Sequence, residues 1–240
     1  MRKRTPSTTW HISTALILSA ASALIYEVVA TNVLFFYFIE SSYSVATVLS
    51  VFLAGLGIGS YAIYAVSERI TDKAKLFYYL QIGIALYAVL IFAQMTGIAS
   101  AVSTIGLFGA SVATLLLPTI FLGAIFPLAG SLFPKKKTEN IGLVYATDLF
   151  GAIIGALLAG FVLIPMHGNK TAILFGAALN ILSAVSIRTK KIIFFLIGMT
   201  VLTGIGVASA HWNAGVPLLT HSEPKSRGTV ELSFNEYSPF

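Results

Sequence analysis

The spacing of charges constrains this chain most. Charged residues sit in short clusters, and apolar stretches of 17 to 30 residues run between them. Nothing charged separates Arg4 from Glu27, and nothing charged follows until Glu40. A helix rises about 1.5 Å per residue, so about 20 apolar residues cross the hydrocarbon core of a bilayer. Composition agrees: 57% of the side chains are hydrophobic and 10% are charged, where soluble domains carry about 25% charged residues. The apolar residues lack the period-2 alternation of an outer-membrane strand. Helices remain as the spanning structure, because each satisfies its own backbone in lipid. The sequence therefore predicts an all-α fold, a polytopic membrane helical bundle with a short extramembrane C-terminal segment.

Seven spans are expected, at about 11–38, 43–66, 76–96, 104–133, 141–165, 171–187 and 192–210. Residues 1–210 then form a transmembrane helical domain and residues 211–240 an extramembrane tail. "MRKR" followed by an apolar run and "SAASA" has the outline of a signal peptide. The run continues to Ile39, which favours a retained first helix. Pro118 and Pro127 each remove a backbone donor from the long fourth span and predict a kink there.

The net charge is +6, with basic residues flanking the spans. This pattern marks topology and anionic-lipid contact, and no nucleic-acid partner is expected. Arg2, Lys3, Arg4, Arg69, Lys73, Lys75, Lys135, Lys136, Lys137, Arg188, Lys190 and Lys191 all fall on one side of such a layout. The positive-inside rule puts that side, with the N-terminus, in the cytoplasm of a prokaryotic cell membrane, and the C-terminal tail outside. In the tail, "GTVELSFNEY" alternates like a strand. One strand does not fold alone, so residues 229–237 are expected to pair with a soluble domain or a partner chain.

Two acids stand well inside the spans, Glu27 and Asp148, and no Lys or Arg accompanies them there. Burial without a cation favours the neutral carboxyl or demands dense hydrogen bonding. Tyr26, Thr31 and Asn32 beside Glu27, and Tyr145 and Thr147 beside Asp148, are the local candidates. Two readings stay open: a structural clamp between helices, and a binding or proton-relay site built on Glu27, Asp148, Tyr26, Asn32 and Tyr145. Counted from the starts of their spans, the two acids differ in depth by roughly 14 Å, which does not favour a paired-carboxylate site.

Glycines form the second pattern. Gly55, Gly57 and Gly59 lie in "FLAGLGIGS", where the third position of a dinucleotide fingerprint falls on Ser60 and no strand precedes it. Gly151, Gly155 and Ala159 recur at spacing four on one helix face. Both sets predict close helix packing. The four histidines, His11, His167, His211 and His221, are scattered near span ends or in the tail, and the chain has no cysteine. No metal site and no thiol chemistry are expected.

Three segments carry a resemblance. "SAASALIYEVVATNVL" (19–34) with "SSYSVATVLSVFLAGLGIGSYAIY" (41–64), then "LLLPTIFLGAIFPLAG" (115–130), then "GLVYATDLFGAIIGALLAGFVLIPMHG" (142–168), resemble in order the helices of membrane-embedded spermidine synthase-like proteins. Asp148 stands where that family usually has Asn in Tyr-Ala-x-Asn. The resemblance spans roughly residues 15–210. It implies a membrane region preceding a Rossmann-like domain similar to polyamine aminopropyltransferases. Such a domain binds a decarboxylated S-adenosylmethionine-type donor and transfers an aminopropyl group to an amine. "VELSFNEYSPF" (230–240) looks like the start of one. No glycine-rich cofactor loop or catalytic acid of that domain occurs in these residues, so no cofactor and no catalysis are expected of this chain alone. Three functions follow as expectations: a membrane module serving an aminopropyltransferase-like domain, a small-solute transporter for polyamines or cations, or a structural subunit of a membrane complex.

Overall fold

The computed structural model describes residues 6–35, 41–98, 104–133 and 139–188. The expected span at 192–210, the tail with its strand-like 229–237 segment, and the clusters Arg2–Arg4, Lys135–Lys137 and Lys190–Lys191 lie outside them. The described residues form helices α1 (Pro6–Phe35), α2 (Ser41–Val66), α3 (Lys73–Ile98), α4 (Thr104–Leu132), α5 (Glu139–Leu157) and α6 (Ile164–Arg188). A π-helical stretch, Leu158–Leu163, joins the last two.

Four described stretches are long and apolar enough to cross a membrane: Thr9–Phe35, Ser42–Val66, Val112–Leu132 and Ile141–Ile187. The chain is thus all-helical over the described residues and has the composition of a membrane protein. The expected count of about seven spans is not supported by these four. Part of the difference lies in the last stretch. Its 47 residues would extend about 70 Å as one helix. Gly168 divides it, with φ 79° and ψ 170°, a left-handed backbone that glycine adopts without a Cβ clash. Just before this break, Ile164 N–H donates to the Ala159 carbonyl, five residues back rather than four. Pro165 follows, and its ring crowds the preceding turn, which widening accommodates.

Side-chain register shows how the helices run. Gly151 and Gly155 of α5 meet Ile17 and Ala21 of α1, so these two are parallel. Gly55 and Gly59 of α2 meet Thr119 and Ala124 of α4, so these are parallel as well. Along α6 the order reverses against α1: Ser183 donates to the Ala15 carbonyl at 2.6 Å, and Asn169 donates to Asn32 at 2.9 Å. Up-and-down alternation produces this pattern. Asp72 caps α3, its carboxylate accepting the Lys75 backbone N–H at 2.9 Å, the usual N-cap arrangement.

Apolar burial alone does not hold such helices together in lipid, because the tails are as apolar as leucine. Close backbone approach does. A Cβ on Gly59 would overlap the Ile120 carbonyl, and one on Gly123 would overlap the Leu56 backbone. On the other side of the bundle, Cβ atoms on Gly151 and Gly155 would overlap the backbones of Ile17 and Ala21. Ala159 continues that α5 face and is fully buried. Gly57 departs from the packing expectation: it has open space around it. Two residues on from Gly55, it turns away from α4, since side chains three or four apart share a face. Leu53, Ile58, Ile153 and Phe161 are exposed on the outside of the bundle.

Gly59→Ala is expected to lower the stability of the detergent-solubilised protein by about 1–3 kcal/mol through overpacking. Gly57→Ala should leave it unchanged or slightly higher, because alanine favours helix by about 1 kcal/mol. Thermal melts of the two variants check this, and equal losses would contradict the assigned faces.

Candidate functional site

The site begins with Pro118. Proline has no N–H, so in α4 the carbonyl of Thr114, four residues back, loses its helical donor. In hydrocarbon such an orphan costs several kcal/mol unless another group answers it. The Tyr87 hydroxyl of α3 donates to that carbonyl at 2.9 Å. Pro127 repeats the problem at Gly123, and there the Ser60 hydroxyl of α2 donates at 2.9 Å. Each proline of α4 is therefore matched by a hydroxyl from a different helix.

A cavity of about 80 Å³ lies beside Pro118, walled by all the helices except α5. Its lining includes Tyr26, Glu27, Phe52, Tyr87, Thr119 and Leu122. At about 10–15 Å³ per water, it has room for a handful of waters or a small organic group. Thr119 turns its hydroxyl proton back onto its own helix, to the Leu115 and Leu116 carbonyls at 2.9 and 2.8 Å. Tyr87 spends its proton on Thr114. Both oxygens keep lone pairs. With the Glu27 carboxyl they are the few acceptors of a lining that is otherwise almost wholly apolar, and among the described residues no Lys, Arg or His borders it.

The polar neighbours that the sequence offered to Glu27 turn elsewhere. Thr31 donates to the backbone carbonyl of Glu27, not to its carboxyl, at 2.9 Å. Asn32 accepts from Asn169. Tyr26 accepts from Asn180 at 2.8 Å. Among the described residues, no hydrogen bond or ion pair reaches the Glu27 carboxyl. Of the two alternatives expected for this acid, dense hydrogen bonding is absent among the described residues: Tyr26 and Asn32 hold α1 to α6, and Thr31 bonds its own helix. Asn180 is the hub of that seam, also accepting from Ser22.

Asp148 lines a different cavity, of about 250 Å³, with Ser19, Leu24, Ser60, Phe126 and Tyr145. Thr147 bonds its own helix, at the Leu143 carbonyl, 2.6 Å away. Tyr145 sets its ring edge-on to Phe126 at 6.5 Å. The α1–α5 register, with Gly151 beside Ile17 and Gly155 beside Ala21, places Asp148 level with Thr14. Glu27 lies thirteen residues further along α1, or roughly 20 Å. The two acids do not form a pair.

Sequence reasoning passed over Tyr87, Thr119, Asn180 and Gln81. The first had a signal: a proline inside a span asks for a donor at the carbonyl four residues back, though not from which helix. Gln81 is fully buried on α3, and neither end of its amide has a partner.

Tyr87→Phe is expected to destabilise the protein by about 0.5–2 kcal/mol, the range of interhelical hydrogen bonds in membranes. Placed on a Pro118→Ala background, where Thr114 regains its helical donor, the same change should cost less. A double-mutant cycle measures the coupling, and additive losses would reject it.

No family model, curated protein or solved structure matches this chain.

Proposed function

We propose that this chain is a polytopic integral membrane protein that binds a small protonated amine in the Glu27 cavity. The lining carries the reading: a carboxyl without a partner among the described residues, beside two hydroxyl oxygens whose protons are already engaged. Such a set can accept hydrogen bonds from an ammonium group and offers that group no competing cation. The apolar remainder of the lining, Val29, Val33, Val48 and Ile173 among it, suits a short alkyl chain. An unpartnered acid within a span is a functional position by default. The volume admits a monoamine or one aminoalkyl arm of a polyamine, not a whole polyamine.

In this reading α3 and both parts of the stretch divided at Gly168 also cross the bilayer. Parallel α1–α5 and α2–α4 pairs with an antiparallel α1–α6 pair support alternating crossings. The exposed Trp10, Tyr61, Tyr64 and Tyr79 gather at the end that carries Arg69, Lys73 and Lys75. Aromatic and basic side chains favour a membrane–water interface, and the basic end is assigned to the cytoplasm of a cell membrane.

The spermidine synthase-like reading is a second proposal, and it rests on the resemblance of the sequence segments alone. The stretches that carry the resemblance include α2 with the proline helix α4, and α1 with α5, which are the two closely packed parallel pairs. A module that handles amines beside an aminopropyltransferase-like domain agrees with an amine in the Glu27 cavity. A reading frame that continues past Phe240 into a glycine-rich nucleotide loop would support the fused form, and a stop codon there would reject it.

Binding of radiolabelled methylamine to the purified protein tests the first proposal. Charge-assisted hydrogen bonds contribute about 1.5–3 kcal/mol, so Glu27→Gln should weaken binding about tenfold to a hundredfold. Equal binding by wild type and variant, or none by either, would refute the site.

A further inference from the structure

We infer that the two cavities are successive stations of one path through the bundle, with Asp148 as a second amine site and Phe52 and Leu122 as the barrier between them. The inference rests on the reading of the Glu27 cavity as an amine site.

Three helices give the order. Along α1 the Asp148 cavity takes residues Ser19 to Leu24, and the Glu27 cavity takes Tyr26 to Val33. Along α2, which runs the other way, the Glu27 cavity takes Val48 and Phe52, and the Asp148 cavity takes Phe52, Leu56 and Ser60. Along α4, parallel to α2, the sequence is Thr114 to Leu122 and then Leu122 to Phe126. The cavities are therefore stacked along the bundle axis. Phe52 and Leu122 border both, and each is buried, with no more than 7% of its surface exposed.

The second cavity repeats the chemistry of the first. It has one acid, Asp148, and a hydroxyl oxygen, Ser60, whose proton is engaged by the carbonyl that Pro127 frees. Among the described residues no Lys, Arg or His borders it. Each station thus pairs an acid with a hydroxyl that answers one proline of α4. Leu122 stands on α4 between those prolines, where the helix lacks two of its backbone hydrogen bonds. A helix weakened at both sides of a plug residue can shift that residue, as a pump or channel gate requires. An amine moves from one carboxyl to the other when Phe52 and Leu122 part, and nothing covalent changes.

The natural absence of cysteine permits a direct test on the full chain in proteoliposomes. Ala88→Cys reports the Glu27 cavity and Ala152→Cys the Asp148 cavity. A cationic methanethiosulfonate should label the first from one face of the membrane only and the second from the opposite face only. Labelling of both from the same face, or of neither, would overturn the path. Uptake of radiolabelled methylamine gives the second readout. Asp148→Asn should lower uptake about tenfold or more while leaving methylamine binding at Glu27 in place. Leu122→Ala, which thins the barrier, should raise uptake. If wild-type protein binds methylamine but none of these variants alters uptake, the path fails and the Glu27 site stands. If wild-type protein does not bind methylamine, the Glu27 site itself fails.

Discussion

Two pairs of helices in this protein come close enough that hydrogen fits where a side chain would not, and the rest of the bundle is arranged around those contacts. Gly55, Gly59 and Gly123 bring α2 onto α4, and Gly151 and Gly155 bring α5 onto α1. In lipid this approach replaces the hydrophobic drive that assembles a soluble core, since dispersion contacts between backbones have no equal in contacts with lipid tails. Each pair is parallel, so a helix of opposite direction must lie elsewhere. α6 fills that place against α1 through Ser183, Asn180 and Asn169.

Backbone satisfaction is the second constraint. Pro118 and Pro127 break the ladder of α4 at two levels, and Tyr87 and Ser60 repair the loss from outside the helix. These repairs bind α3 and α2 to α4 at defined heights. They also bring hydroxyl oxygens to the edges of the two cavities. The same chemistry that keeps a proline-bearing helix in the membrane thus furnishes acceptors beside the two half-buried acids.

Helix positions were legible from the sequence where apolar runs met charges or glycine. Val66 ends α2 just before the Glu68–Lys75 cluster, and Gly168 falls between the expected spans at 141–165 and 171–187. The spacing-four glycines were legible too, but "GLGIG" was ambiguous. Gly55 and Gly59 share a face while Gly57 points away from it, and composition alone does not rank them. The acids were visible as anomalies, yet their surroundings were not. Tyr26, Thr31 and Asn32 are nearest to Glu27 in sequence and none serves its carboxyl. Local neighbours on a helix fan out around its axis, so adjacency in sequence sends side chains to different partners.

By itself the sequence determined that this chain forms long helices suited to a membrane, because unpaired backbone is not tolerated in hydrocarbon and the charges mark where each run must end. It also determined that Glu27 and Asp148 have no basic partner within the spans. Only the tertiary structure decided that the acids occupy separate cavities, that Phe52 and Leu122 stand between them, and that Tyr87 and Ser60 answer the two prolines. Those outcomes depend on which helix lies beside which and at what height. That choice is made by close contacts at a few glycines and by hydrogen bonds between residues as far apart in the chain as Ser22 and Asn180.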